Sequence, residues 1–444
     1  MKILLVQSFL DGDTLPPVYP LGLSYLATFL KGHEVRIYDP NVAERPMEDL
    51  IASLSGFVPD LVGVSLRNID NQSRMDPLNY YGDFRAIVQA ARRRLPSVVI
   101  VAGGTGFSMF AREVMEGNPE IDFGVHLEAE ESFPELLNNL STPGRVRGVY
   151  YREDGAVRFT GVRPLPAFGE FPRPRRDLAE MGRYTGNAAV GIQTKRGCPL
   201  KCTYCNYPVL NGNKIRMRTA SHVVDEIEAL VREGAKQFMF ADSVFNRPEK
   251  HAAEICNEMI KRDVRAGWMA YLDIKGSTRE VLLLMKEAGC NGIFFSPDGL
   301  SQSSLDSLRK GIREKDAWRI LWIIATEPGL KEVEFIITMF INTPGETPFG
   351  MLRMFGYKVV SVLMKIFLKR RVYVTIGWIR IEPETGIHAV AVDQGVIPPD
   401  TPLLQKGREE IRRFFYVKPS LRRLDGFVLA ARNLMRSIRG KRKK

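Results

Sequence analysis

Short apolar runs alternate with helical periodicities along the first 140 residues. KILLVQ is followed by LGLSYLATFLK, then HEVRIYD, MEDLIASLS and DLVGVSL; DFRAIVQAARRRL, SVVIVAGG, FSMFAREVME and SFPELLNNL continue the series. Strands alternating with helices predict an α/β fold, a doubly wound parallel sheet. Ligands of such sheets sit beyond the C-terminal ends of the strands, which directs attention to the loops at 7–20, 67–72 and 103–106. The glycine pair of AGGTG ends the fourth strand, where missing side chains let a ligand approach the backbone. A plain turn would use the same glycines.

Residues 141–187 change character. VRGVYYREDGAVRFTG alternates around Asp154-Gly155 and predicts a hairpin, and RPLPAFGEFPRPRRD is a proline-rich connector. A second alternating series then opens with NAAVGIQTKRG and continues through KQFMFAD, GWMAYL, NGIFFSPD, KEVEFIITMFI and VYVTIGWIRI, with helical segments between. Six such strands predict a partial (β/α) barrel whose chemistry belongs at its C-terminal mouth. The expected division is 1–140 as a Rossmann-like domain, 141–187 as hairpin and linker, 188–394 as the partial barrel, and 395–444 as a small helical region with a basic tail.

Composition narrows the setting. A chain of 444 residues, 45% hydrophobic, has room for two or three cored domains. Its apolar start at Met1 gives way at once to an acidic, turn-like stretch, so it is read as a strand rather than a leader. The most apolar run, KVVSVLMKIFLKRR, is interrupted by Lys365 and Lys369, which argues against a membrane span. Five cysteines, three of them clustered, form no disulfide framework and point to a reducing compartment, hence the cytosol. The net charge of +12 is local: residues 417–444 hold ten Lys or Arg against one Asp, a net +9, leaving +3 for the rest. Such a tail suits peripheral contact with anionic lipid, nucleic acid or an acidic partner, or simple solvation.

The cluster is TKRGCPLKCTYCNYP, with Cys198, Cys202 and Cys205 within eight residues. A structural zinc site wants a fourth Cys or His close by; the next histidine is His222, at a predicted helix start, and Cys256 and Cys290 stand on apolar helical stretches. An iron–sulfur cube on three thiolates instead keeps one iron open for a small molecule. The spacing Cys-x3-Cys-x-aromatic-Cys, with Tyr204 at the aromatic position, resembles the signature of the radical S-adenosylmethionine (SAM) superfamily. The resemblance implies a [4Fe-4S] cluster whose open iron takes the amino acid end of SAM. It also covers FADSVFN, with Asp242 and Asn246, and FFSPDGLS and INTPGET, with Ser296, Asp298 and Gly345. Together with Tyr204 these are the expected SAM positions, Asp242 meeting the amino group and Ser296, Asp298 and Gly345 the ribose and adenine. RIEPETGIHAVAVDQGVI resembles the family's stretch after the sixth strand.

The first 140 residues resemble the cobalamin-binding domain that precedes many radical SAM domains. The resemblance places cobalamin against Leu21, Gly22, Ser65, Arg67, Asn68, Gly103, Gly104 and Glu128. Two departures matter. The Asp-x-His-x-x-Gly motif is absent and none of the five histidines fits it, so cobalamin is expected without a histidine on its lower face. HLEAEE stands where relatives often read Gly-Glu-Gly-Glu, which puts the nucleotide-side contacts near Glu128 in doubt. Arg67 has two readings of equal standing: a cation beneath the cobalt, or a partner of Asp70 or a helix cap.

Both resemblances together imply a cobalamin-dependent radical SAM enzyme that moves a methyl group from SAM, by way of cobalamin, to a carbon of a small-molecule or lipid-like substrate. An external electron donor of flavodoxin or ferredoxin type is implied; nucleic acid is given no place. The alternatives are a cobalamin-dependent cyclase or rearrangement enzyme, a polar methylase, and a non-catalytic cobalamin or cluster sensor. A tRNA methylthiotransferase would need three further N-terminal cysteines, and none precedes Cys198. RRFFYVKP resembles the end of relatives that act on lipid or tetrapyrrole, though helix packing explains the aromatics equally.

Overall fold

The computed structural model of the protein describes residues 1–9, 17–184, 190–405 and 407–441, side chains from 433 onward excepted. The middle of the 7–20 loop, the end of the linker, the start of the strand read from residue 187 and the last residues of the tail lie outside the described residues.

The first sheet contains β1 (Lys2–Gln7), β2 (Glu34–Tyr38), β3 (Leu61–Ser65), β4 (Val99–Gly103), β5 (Phe123–Val125), β6 (Val149–Glu153) and β7 (Ala156–Phe159), in the order β2-β1-β3-β4-β5-β6-β7. β1 to β5 are parallel. Their continuous apolar runs have a cause in the period-2 geometry of strands, because helices cover both faces. Ile3, Leu5 and Val101 enter one core with Leu26, Phe133 and Leu136. Leu4, Val6, Val62 and Ile100 enter the opposite core with Leu54, Phe84 and Ile87.

The hairpin β6–β7 forms at the expected turn, with Asp154 at φ 50° and Gly155 at φ 79°. It is not a free linker element: β6 pairs antiparallel with β5 and extends the first sheet. β5 has only three residues, and the hairpin closes its open edge while burying Val149 completely.

The second sheet contains β8 (Gly191–Ile192), then, after the short antiparallel pair β9 (Lys195–Arg196) and β10 (Arg216–Met217), β11 (Gln237–Phe240), β12 (Gly267–Leu272), β13 (Cys290–Asp298), β14 (Glu334–Phe340) and β15 (Val372–Gly377). Its order is β15-β14-β13-β12-β11-β8, all parallel, the (β/α)6 arrangement of a partial barrel. Thr219, Thr278, Ser301 and Thr347 each accept a backbone N–H at the start of the following helix, so these strand-to-helix turns are fixed by local chemistry. Cys256 and Cys290 are buried in the core of this sheet, away from the cysteine loop.

The C-terminal region is helical, as expected. Its last helix, Arg422–Lys441, docks through the buried carboxylate of Asp425, which accepts from Trp378 Nε1 (2.7 Å), Arg74 (2.7 Å) and Asn342 (2.5 Å). No helix among the described residues is long and apolar enough to cross a membrane.

Candidate functional site

The C-terminal ends of the two sheets meet across a cavity of about 480 Å³. From the first sheet come Ser65, Arg67 and Asn68 after β3 and Gly103 to Gly106 after β4; from the second come Gln193 after β8 and Ala241 after β11. All eight positions expected to face cobalamin line this cavity: Leu21, Gly22, Ser65, Arg67, Asn68, Gly103, Gly104 and Glu128. The loop chemistry explains the shape. Gly104 has φ +99°, and a Cβ there would lie 2.6 Å from the Leu66 carbonyl, so the strand ends approach each other as only glycine allows.

Arg67 is open to the cavity and its guanidinium makes no hydrogen bond or ion pair among the described residues. Of its two readings, pairing with Asp70 fails, because Asp70 is held by Arg380 Nε at 3.0 Å. Only the Arg67 carbonyl is engaged, accepting from Gly106 N and Thr105 Oγ1. Surrounding protein pushes the guanidinium pKa down, and Tyr271 of β12 and Tyr80 are the titratable groups that oppose this.

Glu128 behaves differently. Its carboxylate receives Arg196 at 2.9 Å and Arg216 at 2.9 Å, both from the radical-side domain, and leaves no free oxygen for a ligand. Arg196 also reaches Glu130 at 2.8 Å and lies 4.4 Å over the Phe168 ring. Burial lowers the Arg196 pKa, and Glu130 and Glu128 more than offset it, so the cation stays charged. Arg196, Asn206, Tyr207 and Glu382 line the cavity without a sequence signal that singled them out. Glu382, whose carboxyl burial pushes up, is bound by Gln72 (2.9 Å) and Asn206 and ties the stretch after β15 to the β3 loop. The EPETG segment around it was the available signal, read only as a resemblance.

The cysteine loop hangs from β9. Gly197 has φ +90°, and a Cβ would sit 2.1 Å from the Lys214 carbonyl. Cys198 N donates to Gly212 O (3.0 Å) and Cys205 N to Cys202 O (3.1 Å), while Thr203 is held by Leu308 O and Ser307 O and itself accepts Ile387 N. Burial pushes the Cys205 thiol up to about 12 and also raises Cys202, with the neighbouring thiols adding to both shifts. The three thiols are thus close enough to couple. Among the described residues no three His, Cys, Asp or Glu side chains converge as ligands of a single ion. Three thiols of one short loop are the ligand set of an iron–sulfur cluster with one open iron, and binding as thiolates would remove the burden of the buried protons.

The six expected SAM positions do not border the cavity. Tyr204 and Asp298 are brought together beside the cysteines, but Asp298 is 1% exposed, accepts the Tyr204 hydroxyl and pairs with Lys310. Asp242 accepts from Thr194 N (2.8 Å) and Thr194 Oγ1 (2.6 Å) and pairs with buried Lys195 (3.3 Å). Asn246 uses its amide on Asp273 O, Asp273 N and Ser277 Oγ. Gly345 lies where a Cβ would meet Ser303 O at 2.0 Å, so it serves helix-to-turn contact. Asp242, Asn246 and Asp298 thus already hold protein partners at the barrel mouth, and Gly345 makes a close backbone contact there. Ser296 on β13 is half-buried with no such engagement.

No histidine is among the described residues lining the cavity. The glycine-rich rim, the Arg67 cation and the apolar walls of Leu21, Ile69 and Met109 fit a corrinoid.

Comparison with known proteins agrees with this geometry. Residues 12–137 match the model of the B12 binding domain, and residues 192–353 match that of the radical SAM superfamily. The chain is 29% identical over 327 residues to an uncharacterized methyltransferase of Pyrococcus horikoshii, covering 70% of this chain and 68% of that one. It is 26% identical over 307 residues to hopanoid C-3 methylase of Methylococcus capsulatus, covering 66% of this chain but 56% of the relative. The fold matches the radical SAM methyltransferase TsrM of Kitasatospora setae, solved with tryptophan and a SAM analogue, with a TM-score of 0.77 at 23% identity over 97% of this chain and 88% of that one. It also matches OxsB, solved with aqua-cobalamin, with a TM-score of 0.71 at 15% identity, covering 94% of this chain and 64% of that one. With a B12-binding domain ahead of a cysteine-bearing barrel in one chain, the protein belongs to the radical SAM superfamily, in the family of cobalamin-dependent radical SAM enzymes.

Proposed function

We propose that the protein is a methyltransferase that moves a methyl group from SAM to a carbon centre of a small molecule or lipid. The observation that carries this reading is the single cavity in which the loops after β3 and β4 face the start of the barrel, next to three coupled cysteines. Bound there, the [4Fe-4S] cluster supplies an electron for reductive cleavage of SAM, and cobalamin supplies a carrier for the methyl group.

The chain's own residues have separable tasks. Cys198, Cys202 and Cys205 hold the cluster as thiolates. Gly103, Gly104, Leu21 and Gly22 give the corrinoid backbone-close, apolar walls that exclude water. Arg67 would offer a bound corrinoid a positive charge that cannot coordinate its metal. Arg196, clamped by Glu128 and Glu130, fixes the distance between the two domains. Lys310, Asp298 and Tyr204 form a buried polar group behind the cysteine loop and orient it.

Relatives at 25% and 26% identity are anaerobic magnesium-protoporphyrin IX monomethyl ester cyclases, so cyclisation is the second reading. Anaerobically reconstituted protein, incubated with SAM and dithionite, is expected to release both 5′-deoxyadenosine and S-adenosylhomocysteine. Deoxyadenosine alone would favour the cyclase. S-adenosylhomocysteine alone would favour polar methylation, and neither product would remove the enzyme reading.

A further inference from the structure

The helix Pro348–Phe367, which follows β14, is apolar on both faces. Its inner stripe, Met351, Met354, Tyr357, Ser361 and Met364, recurs at three- and four-residue spacing and packs on the barrel. Its outer face should then be polar. Instead Leu352 is 65% exposed, Val359 57%, Ile366 52% and Phe367 73%, with Phe355 and Leu363 between them. A helix apolar all round belongs in an interior, and nothing among the described residues covers the outer face of this one.

Charge says what does. From residue 347 to 381 the sequence contains no Asp or Glu. Lys358 and Lys365 are seven apart, which at 3.6 residues per turn sets them along one edge of the outer face, and Lys369 follows in the turn after the helix. Lys365 lies 4.4 Å over the Tyr373 ring, which is itself 37% exposed. Basic side chains along the rim of an exposed apolar strip are the pattern of a helix lying in a membrane interface, stems on the apolar surface and ammonium groups at the headgroups. A two-fold contact between copies would instead set this acid-free stretch against itself.

We propose that the outer face of the Pro348–Phe367 helix docks on the surface of an anionic lipid bilayer, without crossing it. This places the barrel, rather than the basic tail alone, at the membrane. The proposal does not rest on the methyltransferase reading, because docking requires none of the cofactors.

The test is co-sedimentation with vesicles of equal parts phosphatidylglycerol and phosphatidylcholine, against vesicles of phosphatidylcholine alone. The protein is expected to pellet with the anionic vesicles on the order of tenfold more strongly than with the neutral ones, and less in high salt. The double variant Val359→Asp/Leu363→Asp is expected to stay in the supernatant with an unchanged circular dichroism melt. Lys358→Glu/Lys365→Glu/Lys369→Glu keeps the apolar face and is expected to lose the preference for anionic vesicles, so the proposal stands or falls even if the first variant misfolds. Native protein that stays in the supernatant would overturn the proposal, as would variants that pellet undiminished. So would a dimer, formed without vesicles, that the aspartates dissociate.

Discussion

Arg67 and Glu128 sit on the same cavity in opposite electrostatic conditions, one unpaired and open, the other clamped by two guanidiniums. Replacing Arg67 by Gln therefore removes no native contact, and folding stability should stay within about 0.5 kcal/mol of the parent by urea unfolding. On the role proposed for Arg67 at the corrinoid, turnover should fall on the order of tenfold or more. Replacing Glu128 by Ala takes from Arg216 its carboxylate partner and from Arg196 one of two, in a buried site, and should cost about 3 kcal/mol of stability in the same measurement. Both residues are legible in the sequence as loop residues after strands. Their partners are not, because Arg196 and Asp70 find Glu128 and Arg380 across long stretches of chain that no local pattern records. The same gap hides the protein partners of Asp242 and Asn246, strand-end polar residues that Thr194 and the 273–277 turn reach.

At the level of elements, alternation of apolar runs with helical periodicity is enough to find both parallel sheets, since the central runs of the first fill two cores at once and those of the second bury every other residue. The hairpin β6–β7 is visible in its Asp-Gly turn, but its membership of the first sheet depends on the shortness of β5. The outer face of the Pro348–Phe367 helix is equally visible as an apolar run; only burial separates its two sides. The helix Ala220–Arg232 shows how a single buried charge ties elements together. Glu226 binds Arg176 at 2.5 Å and Arg218 at 2.6 Å. Burial pushes its carboxyl up, but the two guanidiniums hold it below the usual value of 4.5. A carboxylate depressed on folding stabilises the protein above its unfolded pKa and ceases to do so as pH falls through the folded one. Urea unfolding across a pH series should therefore show the native chain losing stability below about pH 4.5, and Glu226→Gln should start less stable and lose less.

For the whole molecule, the division of labour follows from how the sheets meet. Strand ends of both sheets open on one cavity, and the ion pairs of Arg196, Arg216 and Arg380 hold them there. The three-cysteine spacing is the most legible part of the site because the loop is local in sequence, and the glycine at 197 that lets it fold is local too. The cavity itself depends on tertiary contact and could be inferred only from where strands end. Metal and corrinoid analysis of anaerobically reconstituted protein tests the central claim most directly. The native chain should retain cobalamin together with about four irons. Cys202→Ala should lose the iron and keep the cobalamin, since the two sites use different residues. A native chain that takes up zinc in place of iron, or a Cys202→Ala chain with its iron undiminished, would contradict it.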